Sequence, residues 1–305
     1  MAAIFLGTPA AAIPSLCALA QVDDIAVVIT QPDRPMNRSA QAIASPVKVA
    51  AQQFGFRVEQ PASELELLQI LRESGASMGL VVAYGRILNP EILTSLDLGF
   101  VNVHFSLLPR WRGAAPVERA IAAGDERTGV TLMKIDEGLD TGPVLGELAT
   151  DIAPDDTGGS LTARLAYLGS TLVDNALPEY LLGRRTPVPQ IATGATHAGK
   201  LSKQEARLDT RGDASVAARL VRAFSPRPGA WVATDAGRLR IHNATETGPS
   251  LNPVGEIGRA DGYVALALAS GALRLEIVQP EGKPSMDAMA WMNGRRGESV
   301  VVIDQ

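Results

Sequence analysis

Asn102 and His104 stand two residues apart in Phe100-Val101-Asn102-Val103-His104, a run whose apolar, β-branched character reads as a strand. Side chains two apart on a strand share a face, so this amide and this imidazole project together at the strand's end. The amide donates N–H groups, and the imidazole carries or shuttles a proton near neutrality. The pair suits acyl transfer, in which an oxyanion is stabilised while protons move. Two readings of His104 stand side by side: a catalytic imidazole, or a strand-terminal side chain satisfied by a backbone carbonyl.

A second cluster, Met133-Lys134-Ile135-Asp136-Glu137-Gly138-Leu139-Asp140-Thr141-Gly142, follows the strand-like run at 129–133. Its glycines allow a tight, exposed loop. Asp140, between Leu139 and Thr141-Gly142, is placed to turn back toward the sheet end. A carboxylate there, bonded to His104, would fix the ring's orientation and stabilise its protonated form. Asp136 and Glu137 read instead as a solvated acidic turn.

Other chemistries find little support. Gly7-Thr8-Pro9 follows the first strand, but the chain has neither G-x-G-x-x-G nor a Walker sequence. Ser15, Ser106 and Ser160 lack a nucleophile-elbow context. Cys17 is the only cysteine, and the three histidines (His104, His197, His242) leave little scope for a metal site, so no metal is expected. Met286, Met289 and Met292 have helical spacing and read as packing material.

The elements that must position these groups alternate. Strand-like runs at 3–6, 25–29, 78–83 and 100–104 are separated by helical stretches at about 10–20, 46–54 and 64–74, the last capped by Ser63. Continuous apolar strands between helices predict a Rossmann-like, doubly wound, mostly parallel α/β sheet. Ligands bind such sheets beyond the carboxyl ends of the strands, which directs attention to the loops after residues 6, 29, 83 and 104. Past a helix at about 213–224, short strands at 230–232, 239–241, 263–266 and 273–277 are divided by Gly and Pro clusters. That texture suits a small C-terminal β-barrel, OB-like in kind.

A chain of 305 residues exceeds what one core usually serves. The expected division is a catalytic domain at 1–183, a basic linker at 184–203 and a barrel at 204–305. Between residues 180 and 204 the charged side chains are Arg184, Arg185, Lys200 and Lys203, all basic, among two prolines and three glycines that discourage regular structure. A net charge of -5 argues against a protein that coats nucleic acid non-specifically. Residues 205–305 carry as many acidic as basic side chains, so the barrel is no strong phosphate magnet. Neither the opening residues nor any later stretch reads as a signal peptide or a membrane span, and a soluble, cytoplasmic, monomeric protein is expected.

Taken together, Asn-Val-His-Phe-Ser-Leu-Leu-Pro-Arg-Trp-Arg-Gly-Ala-Ala-Pro (102–116) and Asp-Glu-Gly-Leu-Asp-Thr-Gly (136–142) resemble the formyltransferases that use 10-formyltetrahydrofolate. The resemblance runs nearly end to end, through Phe5–Pro9, Gln31–Pro35 and Ser45–Lys48. The segments Lys200–Asp209 and Arg222–Trp231 are typical of the branch that acts on tRNA. It implies Asn102, His104 and Asp140 as the catalytic trio and Ser106, Leu107, Leu108 and Pro109 as the folate-binding stretch. The implied reaction moves the formyl group of 10-formyltetrahydrofolate to the α-amino group of methionyl initiator tRNA. Rival readings are an N-formyltransferase for an amino-sugar nucleotide, hydrolysis of the folate, and a tRNA-binding relative without catalysis. The family often carries a basic, lysine-bearing insertion after Gln-Pro-Asp-Arg-Pro, whereas residues 36–44 here hold one cation, Arg38. An aromatic residue is also usual soon after Gly-Thr-Pro, where this chain has Ala11. The grip on tRNA is accordingly expected to rest on Arg184, Arg185, Lys200 and Lys203, together with Arg38.

Overall fold

The computed structural model describes residues 2–35 and 42–303, so Arg38 lies outside the described residues. The chain forms two compact units. The first comprises residues 1–116, 127–151 and 162–198; the second comprises 117–126, 152–161 and 199–305. Residues 184–198, expected as linker, thus group with the first unit, and 199–203 with the second.

The strands are β1 (Ala2–Gly7), β2 (Asp24–Ile29), β3 (Arg34–Pro35), β4 (Ala42–Ile43), β5 (Val58–Glu59), β6 (Met78–Val82), β7 (Phe100–His104), β8 (Arg112–Gly113), β9 (Arg127–Lys134), β10 (Val144–Asp151) and β11 (His197–Ala198). The helices up to residue 181 are α1 (Ile13–Val22), α2 (Pro46–Gln53), α3 (Glu64–Glu73), α4 (Pro90–Leu93), α5 (Pro116–Ala123), which past Pro116 belongs to the second unit, and α6 (Gly158–Leu181), which enters the first unit at Thr162. The main sheet runs β10-β9-β7-β6-β1-β2-β5. Its β1, β2, β5, β6 and β7 are parallel, and β9 and β10 add an antiparallel edge. The parallel strands are apolar because helices cover both faces: Ile4, Phe5, Leu6 and Leu80 have no exposed surface. Each such side chain contributes roughly 1.5–3 kcal/mol relative to exposure. β10, at the edge, instead alternates half-buried and exposed positions after the buried Leu145.

Two close approaches fix β7. At Gly79 on β6, an added Cβ would run into the Phe100 ring, and at Gly169 on α6 it would come within 2.7 Å of Val103 Cγ1. Both require glycine so that α6 and β6 can lie against the strand that carries Asn102 and His104.

The second unit is built on β12 (Ala230–Thr234), β13 (Gly237–Thr247), β14 (Glu256–Ala260), β15 (Tyr263–Ala267), β16 (Ala272–Pro280), β17 (Met286–Asp287) and β18 (Val300–Val301), with α7 (Ala214–Ala223) and α8 (Ala288–Gly294). Its antiparallel sheet runs β12-β13-β16-β15-β14-β18, and β17 pairs with β16. A bridge between Thr234 and Val302 joins the two ends of that order and closes the sheet on itself. Val232, Leu239, Ile257, Val264, Leu266 and Leu273 fill the interior, with Ala217 and Val221 of α7 and Met292 of α8 against them. The three methionines thus divide between β17 and α8, and Met292 is packing material.

Candidate active site

β7 delivers Asn102 and His104 to the carboxyl edge of the sheet. Asn102 is half-buried between Val81 of β6 and Met133 of β9 in the strand register, and His104 is 5% exposed opposite Thr131. Beyond His104 the chain makes a tight excursion held by side chains. Ser106 Oγ donates to the Arg110 carbonyl at 2.6 Å. Thr131 Oγ1 donates to the Ser106 carbonyl at 2.7 Å and accepts the Leu108 N–H at 3.1 Å. Ser106 and Leu108 are therefore buried turn-formers, and Leu107 and Pro109, half-buried, are the members of the expected folate stretch with side-chain surface.

Trp111 follows at φ 63°, a left-handed conformation uncommon for a bulky residue. Its carbonyl lies 2.9 Å from His104 Nε2. A carbonyl only accepts, so Nε2 carries a proton in this arrangement. The backbone-carbonyl reading of His104 is thereby part of the geometry. It does not exhaust it, because the other ring nitrogen, Nδ1, faces Asp140 Oδ2 at 3.7 Å.

Asp140 also has a positive φ, 53°, which turns its side chain back over the sheet edge. Its Oδ2 accepts the Gly113 N–H at 2.8 Å. Imidazole and carboxylate are both largely removed from water, with side chains 6% and 16% exposed. The ring thus sits between two acceptors, an arrangement complementary to an imidazolium. Asp136 and Glu137 are exposed, and Asp136 Oδ1 accepts from the Gly138 N–H and the Thr141 hydroxyl, which closes the turn.

Supporting groups come from a segment that spacing alone did not single out. Thr196 Oγ1 accepts the Trp111 N–H at 2.9 Å, its carbonyl accepts the Arg112 N–H at 2.9 Å, and β11 pairs in parallel with β8. Gly113 is needed there: at φ 124° an added Cβ would stand 2.6 Å from the Ala198 carbonyl. Gln190 Nε2 donates to the carbonyls of Asp140 (2.9 Å) and Gly142 (2.8 Å), and its Oε1 accepts from Arg112 at 2.6 Å. Two prolines and a glutamine in an apparent linker give little hint of such bonds.

The neighbouring strand ends carry polar ties of their own. Thr8 Oγ1, after β1, donates to the Tyr84 carbonyl after β6. Lys48 donates to Asp33 Oδ2 and to Gln60 Oε1, both at 2.6 Å. The Lys48 ammonium, then the Gln60 amide, hold the Asp33 carboxyl below its usual range. Ile87 and Leu139 stand 86% and 52% exposed on the loops after β6 and β9, so both loops present apolar surface.

Of the expected tRNA-facing cations, Arg184 is exposed and lies 3.7 Å from Glu179. Arg185 is engaged with the backbone, donating to the Leu145 carbonyl at 2.5 Å. Lys200 and Lys203 are exposed. Among the described residues, no group of three or more His, Cys, Asp or Glu is arranged to hold a metal ion, and no helix is long and apolar enough to cross a membrane.

A doubly wound sheet whose carboxyl edge carries an amide, a gripped imidazole and a carboxylate has the makings of an acyl-group transferase. Residues 2–177 match the family described as formyl transferase, and residues 200–296 match the formyl transferase C-terminal domain; the chain belongs to this family. It is 44% identical over 301 residues to methionyl-tRNA formyltransferase of Xylella fastidiosa (strain M12), which covers 97% of this chain and 98% of the relative. Among solved structures, methionyl-tRNA formyltransferase from Clostridium thermocellum shares the fold with a TM-score of 0.57 at 19% identity, covering 81% of this chain and 94% of that one. HypX from Aquifex aeolicus in complex with tetrahydrofolic acid gives a TM-score of 0.69 at 16% identity over 95% of this chain. The chain spans about half the length of HypX (46%).

Proposed function

We propose that this protein transfers the formyl group of 10-formyltetrahydrofolate to the α-amino group of methionyl initiator tRNA. The observation that carries the proposal is His104, held between the Trp111 carbonyl and Asp140 on the strand that also presents Asn102. The folate is a substrate, consumed in each turnover. The residues at the sheet edge fit such a ligand: apolar Ile87 and Leu139 offer surface to a flat ring system, and the nearby carboxylate and amide offer polar partners.

The amine attacks the formyl carbon, and negative charge develops on the formyl oxygen. Asn102 donates to that oxygen through its amide, and the imidazolium of His104 stabilises it by charge, each on the order of a few kcal/mol. The Nε2–H given to the Trp111 carbonyl is the proton for which the bound oxyanion competes. Asp140 holds the ring's charge and orientation while the amine loses its proton, the tetrahedral intermediate collapses, and the bond from the formyl carbon to the folate nitrogen breaks, that nitrogen taking the electron pair and a proton. The chemistry requires neither a metal ion nor a covalent enzyme intermediate. The reading takes the reaction to be cytoplasmic, in keeping with a charged tRNA as substrate, and the protein to act as a monomer, which is supported by one copy of the chain holding the whole trio.

The relative's name and its near-complete coverage support a tRNA acceptor over an amino-sugar nucleotide. The test incubates the protein with 10-formyltetrahydrofolate and, separately, charged initiator tRNA or an amino-sugar nucleotide. Formyl-methionine recovered from the tRNA is the expected result. Formylation of the sugar alone, or release of formate without an acceptor, would replace the proposal with a rival.

A further inference from the structure

Gln190 belongs by sequence to a proline-flanked tether, yet its amide is fully engaged with the two loops that carry the trio's surroundings. Nε2 donates to the carbonyls of Asp140 and Gly142, at 2.9 and 2.8 Å. Oε1 accepts from Arg112 Nη2 at 2.6 Å and Nε at 3.2 Å. Arg112 directly precedes Gly113, whose N–H holds the Asp140 carboxylate. One side chain therefore ties together, through different atoms, the same two short segments that the Gly113–Asp140 bond joins.

We infer that Gln190 is a positioning residue for formyl transfer, setting the separation between Asp140 and His104. The inference rests on the functional reading above. Three features make the dependence strong. The Asp140 carboxylate stands 3.7 Å from Nδ1, beyond ordinary hydrogen-bond length, so the pair relies on where the loop is held. Residues 135–143 form no strand or helix, and Asp140 sits at φ 53°, a conformation that surrounding structure must enforce. Without Gln190 the Asp140 carbonyl loses this donor and the loop relaxes toward solvent.

Gln190 is itself well placed to act as an anchor. Val188, two residues earlier, exchanges both backbone hydrogen bonds with Val144, at 2.7 and 2.8 Å. Thr196, six residues later, receives the Trp111 N–H. The segment straps the site on both sides of the glutamine, so its amide enters a prepared place. Gln190 touches neither reacting atom nor imidazole and acts through Asp140.

Two variants separate its contacts. Gln190→Met removes the whole amide at similar length. Gln190→Glu keeps an oxygen for Arg112 but offers no N–H to the two carbonyls. Single-turnover rate, both Michaelis constants, thermal midpoint and hydrogen exchange at the Gly113 amide are measured in each. The expected result is a turnover loss on the order of 100-fold in both variants, as small displacements of reacting groups produce. Michaelis constants and thermal midpoint should hold steady while the Gly113 amide exchanges faster. Near-normal turnover in Gln190→Glu would show that the Arg112 contact alone suffices and would overturn the inference. Unchanged Gly113 exchange in both variants would overturn it too. If the unaltered protein formylates no tRNA, the functional reading fails, and Gly113 exchange still decides whether Gln190 positions Asp140.

Discussion

His104 is held by geometry that distinguishes charge from shape. In Asp140→Asn the side-chain oxygen can still accept the Gly113 N–H, so the loop keeps its path. What is lost is the negative charge 3.7 Å from Nδ1. We expect an unchanged thermal midpoint and a fall in single-turnover formyl transfer on the order of 10⁴-fold, the scale seen when a carboxylate that holds a catalytic imidazole is neutralised. Near-normal turnover would reduce Asp140 to a turn residue. The grouping of Asn102, His104 and Asp140 is legible in the sequence because an amide donor and a titratable imidazole fall two apart on one strand, and a carboxylate follows in the loop after β9. The groups that hold them are not legible. A backbone carbonyl such as that of Trp111 leaves no trace in a residue pattern, and Gln190 reaches partners about 50 positions away along the chain.

Elements were legible where their pattern was pure. The apolar runs of β1, β2, β6 and β7 announce buried parallel strands, and Ser63 accepts the Glu66 N–H as the cap that its position suggests. α6 escapes because it opens on Gly158-Gly159 and contains Gly169 and Pro178, residues that ordinarily end helices. Packing overrides propensity there, with Gly169 seated against Val103. At the start of α7, Asp213 accepts the Ser215 N–H and hydroxyl, and these bonds lower its pKa to about 2 from 3.8. A depressed carboxyl stabilises the fold above the unfolded value and loses that contribution as pH falls through the folded one. The thermal midpoint of the unaltered protein should therefore exceed that of Asp213→Asn at neutral pH. The gap should close between about pH 4 and pH 2, as calorimetry across that range would show. A gap that persists at pH 2 would assign the effect to cap geometry instead of charge.

At the scale of the molecule, a net charge of -5 means that tRNA must be caught by local cations. Arg185 is a poor probe of that grip, because its guanidinium supports a β10 carbonyl and its removal would disturb the site. Lys200 and Lys203 are exposed, and the backbone of Lys203 is fixed by the Trp231 indole N–H, which donates to its carbonyl at 2.8 Å. The pair is thus well suited to phosphate contact. Lys200→Ala with Lys203→Ala should weaken tRNA binding and flatten its log–log salt dependence by about two units, with the folate Michaelis constant unchanged. Affinity measured over a salt series checks this. An unchanged slope would move the grip elsewhere, with Arg184→Ala the next variant to measure.

Val117–Glu126 and Ile152–Leu161 belong to the second unit although chain of the first lies on either side of them in sequence. Arg119 bonds Glu205 and the Gly199 carbonyl, Arg219 donates to the Ala122 carbonyl, and Arg222 donates to the Asp156 carbonyl. A gene cut after residue 198 would therefore yield no clean half. The fragment would carry two stretches stripped of their companions, with Arg119 and the Ala122 and Asp156 carbonyls deprived of these partners. A single crossover at that point would therefore join the remainder of the second unit to a fragment that still carries two of its stretches.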